Sequence, residues 1–196
     1  MEDKKLCLII ISGPSGAGED SVIAGLKKIL PIESVITTVT REKRFGESQG
    51  NPYYFITKEQ FLRDIDDGKF FEHAQHYNDQ YYGTSTDELE RIRKIGKIGI
   101  LKIDYQGVES AKEKLPGIKA ILLTAPLDIL EKRIRARQHV TDEYVRERME
   151  YTQEWMKHKH LYDYEVVNEQ GKLAHTIAVV AGIVQDCCAL DKKPNI

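Results

Sequence analysis

Residues 8–21 read LIIISGPSGAGEDS. An apolar run, Leu6 to Ile11, feeds a loop of small residues, Gly13-Pro14-Ser15-Gly16-Ala17-Gly18, and an amphipathic segment follows from Ser21 to Leu30. Strand, Gly-rich loop and helix form the setting in which G-x-x-x-x-G-K-[ST] cradles phosphate groups. The glycines let successive backbone N–H groups point at phosphate oxygens, and the helix N-terminus adds positive potential. Two positions invert the pattern: Glu19 stands where the lysine is needed and Asp20 where the hydroxyl is, with Ser21 offering a hydroxyl one place late.

A chain of 196 residues with 41% apolar residues suits one domain with a buried core, with room for inserted lobes. The 29 basic and 31 acidic residues give a net charge of −2, so no global field draws it to nucleic acid or to a membrane surface. Three cysteines, Cys7, Cys187 and Cys188, form neither an even disulfide framework nor a zinc pattern, so free thiols in a reducing compartment are expected. The first apolar run is too short for a membrane span and lacks a signal-peptide pattern, which sets the expectation of a cytoplasmic protein. The six histidines show no metal-ligand spacing.

Outward from the loop, strands are expected at 6–12, 34–40, 53–56, 70–77, 80–84, 98–103, 120–124 and 164–168. Helices are expected near 20–30, 107–115, 127–138, 141–161 and 172–190. Thr57-Lys58-Glu59-Gln60 and Ser85-Thr86-Asp87-Glu88 read as capping boxes that open two more helices, and Asn78-Asp79 as a turn. The alternation of strand and helix argues a doubly wound α/β core with a parallel sheet flanked by helices. Residues 35–85, rich in hairpin and turn signals, read as a lobe inserted in it.

Four further stretches join the loop: TTVTREKRFGESQGNPYYF at 37–55, FFEHAQHYNDQYYGTS at 70–85, ILKIDYQGV at 100–108 and PLDILEKRIRARQ at 126–138, with VVN at 166–168. In this order and spacing the chain resembles the guanylate kinases across residues 6–188. The resemblance implies a P-loop nucleoside monophosphate kinase fold. It has a core (about 1–34, 96–130 and 150–190), a GMP-binding lobe (about 35–95) and a lid (about 131–149). It implies transfer of the ATP γ-phosphoryl group to GMP, with Mg²⁺.

On the acceptor side, the resemblance places Glu72 where a carboxylate reads guanine. Guanine offers N1–H and N2–H₂ side by side, which one carboxylate accepts, whereas adenine presents a lone pair at N1. Thr37 and Thr84 match hydroxyls that complete the base contacts, and Asp104 joins them. Arg41 and Arg44, three apart, suit the GMP phosphate. Tyr53 and Tyr81 match the phosphate-binding tyrosines, with Tyr54 and Tyr82 next door as alternatives.

On the donor side, the loop residues Gly13 to Gly18, with Glu19, Asp20 and Ser21, would hold ATP, and Asn168 matches a residue near the adenine. Arg133 and Arg137, four apart on one helix face, and Arg148 would close over the ATP phosphates. The family pattern I-L-D-I-D-x-Q-G reads here Ile100-Leu101-Lys102-Ile103-Asp104-Tyr105-Gln106-Gly107. A lysine has therefore left position 19 and one has appeared at 102. Residues 102 and 104 are expected on the same strand face. A charge swap follows as an expectation, with Lys102 reaching the phosphates or pairing with Glu19, and with Asp20 and Asp104 on the magnesium side. Against it stands a second reading, in which Glu19 and Asp20 only stabilise the helix dipole and the domain is a binding module. A third reading is a kinase for another phosphorylated acceptor, since Gly18-Glu19-Asp20-Ser21 partly resembles G-K-D-S.

Overall fold

The computed structural model describes residues 6–75, 79–136 and 140–189. Its centre is a five-stranded sheet, all parallel, in the order β10 (Tyr164–Val167), β9 (Lys119–Thr124), β1 (Leu8–Ser12), β8 (Ile98–Leu101) and β2 (Ile32–Ser34). Strands buried on both faces need unbroken apolar runs, which is what β1 and β9 carry. Alternate side chains of β1 feed two separate cores. Ile9 and Ile11 pack with Val22, Leu26, Leu123, Val180 and Val184, under α1 (Glu19–Leu26) and α7 (Leu173–Cys187). Leu8 and Ile10 pack with Leu89, Ile92, Val108 and Ala111, under α3 (Thr86–Ile95) and α4 (Tyr105–Lys114).

A second five-stranded sheet carries the lobe, in the order β4 (Ser48–Gln49), β5 (Pro52–Phe55), β3 (Thr38–Val39), β7 (Tyr81–Ser85) and β6 (Phe70–Gln75). β6 and β7 form the antiparallel pair expected from the sequence, and α4 packs against β6. Thus a core helix forms one wall of the lobe. Phe61 of α2 (Lys58–Asp66) stacks on Phe70 at 4.2 Å between centroids and fills the lobe interior. The N-cap half of each expected box forms, Thr57 Oγ1 accepting from Gln60 N–H and Ser85 Oγ from Glu88 N–H, each at 3.2 Å, while the Gln60 and Glu88 side chains turn to Asp64 and Arg91. The peripheral helices are α5 (Leu127–Arg135) and α6 (Asp142–Lys157). A 3₁₀ turn over Lys159–Leu161 follows α6.

Several expectations are corrected. The strand at 34–40 is two short strands in different sheets, because the chain leaves the edge of β8 at Ser34 and joins β5 and β7 at Thr38. A continuous extended pattern does not reveal a change of partner. The first helix stops at Leu26; i→i+3 bonds from Lys28 and Ile29 close a turn before Pro31, leaving Ile29 exposed. The strand expected at 98–103 ends at Leu101, so residues 102–104 are no longer under its alternation. The helix expected over 141–161 ends at Lys157. The cysteines are also corrected: Cys7 and Cys188 form a disulfide, with Cα atoms 6.1 Å apart across 181 residues of sequence, and Cys187 is free. Their spacing along the chain carries no trace of the contact between the start of β1 and the end of α7. Asn78 of the expected turn lies outside the described residues. No helix among the described residues is long and apolar enough to cross a membrane.

Leu123, fully buried in β9 within the α1–α7 core, tests which face carries the fold. Leu123→Ala should lower unfolding stability by about 2–5 kcal/mol in urea titrations. A loss under about 1 kcal/mol would contradict the packing described.

Candidate active site

The loop after β1 keeps its turn through Gly18, whose φ of +95° suits glycine alone, and a Cβ there would meet Asn168 Nδ2 at 2.5 Å. For loop N–H groups to face inward, the loop carbonyls must face outward and find donors. Asn168, buried at the end of β10, donates from Nδ2 to Ala17 O at 2.8 Å. Arg133 of α5 donates to Gly16 O at 3.1 Å and to Asn168 O at 2.8 Å, and its Nε reaches Gln170 at 3.2 Å. Ala17 N–H closes a turn onto Pro14 O at 3.0 Å. Arg133 was expected to reach out over the ATP phosphates. In this structure its guanidinium is anchored to the protein side of the loop, because the outward carbonyls there have no other strong donor. Gly13, Pro14, Gly16 and Ala17 are buried, Ser15 half-buried and Ser21 exposed.

Glu19 and Asp20 head α1 and behave differently. Glu19 is half-buried, and loss of hydration pushes its pKa up to about 7 against the pull of its own and Gly18's backbone N–H and of Lys102. Asp20 is exposed and accepts from Lys102 Nζ at 2.6 Å. The partner of Lys102 is therefore Asp20, not Glu19. Burial works against the Lys102 charge, but Tyr53, Asp20 and Glu19 together hold its pKa above the usual lysine value. Lys102 also lines a cavity of about 120 Å³, with Asp20 and Ile23 of α1 on one side and Thr37, Pro52 and Tyr53 on the lobe side.

Asp104 parts company with Lys102, since the strand face expected to carry both ends at Leu101. Asp104 caps α4, accepting from Gly107 N–H at 2.9 Å, and accepts from Tyr151 OH of α6 at 2.9 Å. Tyr162 ties the same region together: its hydroxyl accepts from Trp155 Nε1 at 2.9 Å and bonds Ser12 at the end of β1 at 3.1 Å.

In the lobe, Glu72 and Thr84 lie opposite each other on β6 and β7, both buried. Glu72 Oε1 and Thr84 Oγ1 have no hydrogen-bond partner among the described residues. A buried carboxylate oxygen without a partner is costly, and Oε1 points to a ligand that supplies a donor. Burial first, and then the charge of Asp104, raises the Glu72 pKa to about 7. Its Oε2 lies beside Gly107, where a Cβ would stand 3.1 Å away. Thr37 is buried between the two sheets.

Arg41, also buried, is held in a two-pronged ion pair by Glu47 at 2.6 and 2.7 Å, and its guanidinium lies 5.1 Å from the Tyr53 ring centroid. Glu47 is pulled down to about 2 by that pairing. Glu47 also accepts from the backbone N–H of Arg44, whose side chain is exposed. Tyr81 is turned away: its ring packs 5.5 Å from Phe61 in the lobe interior. Tyr82 faces Tyr53 edge-on at 6.4 Å and feels the Arg41 charge. Strand alternation explains the exchange, because Tyr82 and Thr84 share a face that Tyr81 does not. Glu47, Tyr151 and Tyr162 are contacts of the candidate residues that sequence reasoning missed; Tyr82 was an expected alternative to Tyr81, and that alternation separates the two. Arg148 lies over the Tyr144 ring at 4.9 Å, its Nε buried and without a partner. Arg137 lies outside the described residues.

The family model for guanylate kinase matches residues 5–186. The chain belongs to the guanylate kinase family. It is 40% identical to the guanylate kinase of Idiomarina loihiensis over 166 residues, 83% of this chain and 79% of the relative. It is 37% identical to the guanylate kinase of Buchnera aphidicola, over 95% of this chain and 91% of the relative. The crystal structure of guanylate kinase from Anaplasma phagocytophilum superposes with a TM-score of 0.73 at 26% identity, covering 97% of this chain and 89% of that one. The glycine loop follows the C-terminal end of β1, and the buried Glu72 lies on β6 of the second sheet.

The Glu72 carboxyl gives a pH test independent of catalysis. Its folded pKa, about 7, lies above the unfolded value near 4.5. Relative to a neutral side chain, its contribution to stability is intact below pH 4.5 and is lost as pH rises through 7. In thermal melts without nucleotide, Glu72→Gln should therefore exceed the wild type in Tm at pH 8, and the gap should close at pH 5. A gap independent of pH would refute the burial argument.

Proposed function

We propose that the chain phosphorylates GMP at the expense of ATP, giving GDP and ADP. The observation that carries the reading is the buried pair Glu72 and Thr84, each with an unpartnered oxygen, on β6 and β7 of the second sheet. An ionised Glu72 accepts both guanine N1–H and N2–H₂, while the Thr84 and Thr37 hydroxyls are placed for the remaining edge of the base. Guanine supplies the donors that the apo site lacks, and AMP would leave Glu72 facing a lone pair. The curated relatives, guanylate kinases over most of their length, support this reading over a binding module or a kinase for another acceptor.

Arg41, Tyr53 and Tyr82 form the acceptor-phosphate end, with Arg44 at the rim. Glu47 holds the Arg41 fork in place through charge-assisted bonds, so the donor geometry is set before substrate arrives. The acceptor is a phosphate monoester whose second pKa is about 6, so it is mostly dianionic at neutral pH and needs no general base. One of its oxygens supplies the electron pair for the new bond to Pγ. The bond from Pγ to the bridging oxygen breaks, and that electron pair stays on the β-phosphate of ADP. Catalysis then rests on positioning and on neutralising charge. The backbone N–H groups of Ser15, Gly16 and Gly18 are left for the ATP phosphates, since Pro14 has none and that of Ala17 bonds Pro14 O. Asn168 and Arg133 hold that loop from behind, and the Arg148 Nε on α6 has no partner among the described residues.

Among the described residues no group of three or more His, Cys, Asp or Glu side chains could hold a metal ion unaided. The donor set does fit a Mg²⁺ carried on ATP, because Asp20 presents a hard, exposed carboxylate at the loop and one or two carboxylates suffice beside phosphate oxygens. Asp104, bonded to Gly107 and Tyr151, would take part through water. When bound, the ion neutralises phosphate charge. We also propose a cytoplasmic location, in keeping with nucleotide substrates.

An ADP-coupled assay with GMP, with AMP and with no acceptor tests the reading; turnover with GMP alone is expected, and equal rates with AMP would overturn it. Glu72→Gln should weaken GMP binding by about 1–3 kcal/mol in calorimetry, since one face of the amide is a donor. Tyr82→Phe should raise the GMP KM more than Tyr81→Phe, because only Tyr82 shares the face of Arg41 and Thr84. The reverse order would return the role to Tyr81.

A further inference from the structure

We propose that Lys102 is the catalytic cation of the phosphoryl-transfer step, parked on Asp20 in the free enzyme and supplying the charge that the inverted loop lacks at position 19. The proposal rests on the GMP-kinase reading above.

Three observations carry it. First, Lys102 lines a cavity bounded by Asp20 and Ile23 of α1 on one side and by Thr37 and Tyr53 on the other. Second, two neighbouring cations already hold protein acceptors, Arg41 with Glu47 and Arg133 with the carbonyls of Gly16 and Asn168, whereas Lys102 is held by one exposed carboxylate. Third, the hold of Asp20 on Lys102 is weak. The Asp20 side chain is 86% exposed and that of Lys102 36% exposed. Exposed pairs of this kind hold weakly, so a polyphosphate bearing several charges outcompetes one carboxylate. A lysine on its flexible stem can make that move, whereas a guanidinium fork would need its partner plane to follow.

Asp20 then has two successive partners. In the free enzyme it keeps the ammonium extended towards the loop; with nucleotide bound, the ammonium turns to phosphate oxygens and the carboxylate is released. Lys102 gains and loses no proton in the transfer. Its charge faces the γ-phosphoryl oxygens while the bond to ADP breaks and the bond to the GMP oxygen forms.

The test compares wild type, Lys102→Met, Lys102→Arg and the exchange Glu19→Lys with Lys102→Asp. It uses the ADP-coupled assay, with GMP affinity from calorimetry and Tm from thermal melts. Lys102→Met is expected to lower kcat about 10²-fold or more. Its GMP affinity should stay within about two-fold of wild type and its Tm should not change. Lys102→Arg should recover part of the rate. The exchange should recover more than Lys102→Met retains, a coupling that independent sites would not show. If the wild type turns over GMP and Lys102→Met keeps kcat within about three-fold, the Lys102 proposal is overturned and the GMP-kinase reading stands. If the wild type does not turn over GMP with ATP and Mg²⁺, both fall. Should Lys102→Met not fold, the exchange decides: an inactive but folded exchange protein overturns the proposal.

Discussion

A loop that turns its amides inward must turn its carbonyls outward, and everything around the donor site depends on what receives them. Asn168 receives Ala17 and Arg133 receives Gly16, while Arg133 also grips the carbonyl of Asn168. The end of β10 and the middle of α5 are thereby fastened to the back of the loop. Thr176 of α7 bonds Asn168 Oδ1 and extends the brace to the last helix. Three elements distant in sequence converge on two carbonyls, so the loop's cradle for anions is set by donors behind it rather than by a ligand in front. The same contacts engage three of the five N–H donors of Arg133, one each from Nε, Nη1 and Nη2.

The acceptor side solves a different electrostatic problem. A carboxylate must be kept dry to discriminate between base edges, yet a dry carboxylate resists ionisation. Glu72 sits at that compromise, its pKa lifted into the neutral range by burial and by Asp104. Asp104 is in turn fixed by the α4 amide and by Tyr151. Its negative charge is therefore held at a set place near the base carboxylate, and α6 contributes to where that place is. Core, lobe and peripheral helix meet at one side chain.

Much of this could be read from the chain. The LIIIS run and glycine loop announced β1 and its turn, and apolar runs marked β8 and β9. Thr57 and Ser85 capped helices where their spacing said they would. Glu72 lies opposite Thr84, and Arg41 lies over Tyr53. What was not legible depends on partners in space. Whether Ser34 to Thr40 is one strand or two is decided by which edge each half meets. Which acid Lys102 takes is decided by where β8 stops. Cys7 and Cys188 meet because the first strand and last helix are neighbours. Tyr81 and Tyr82 stand between these cases: period-two alternation with Thr84 separates them, but only once β7 is known to hold its register.

The joining of Cys7 to Cys188 has a consequence for the topology of the chain. With the disulfide joining two cysteines 181 positions apart in a chain of 196 residues, the polypeptide approximates a ring. The linear order of its elements matters less than which neighbours they keep. Such a ring tolerates being cut and rejoined, and exposed turns such as the one around Gly117, where added side-chain atoms meet nothing within 4 Å, are natural places for new ends in a circularly permuted chain.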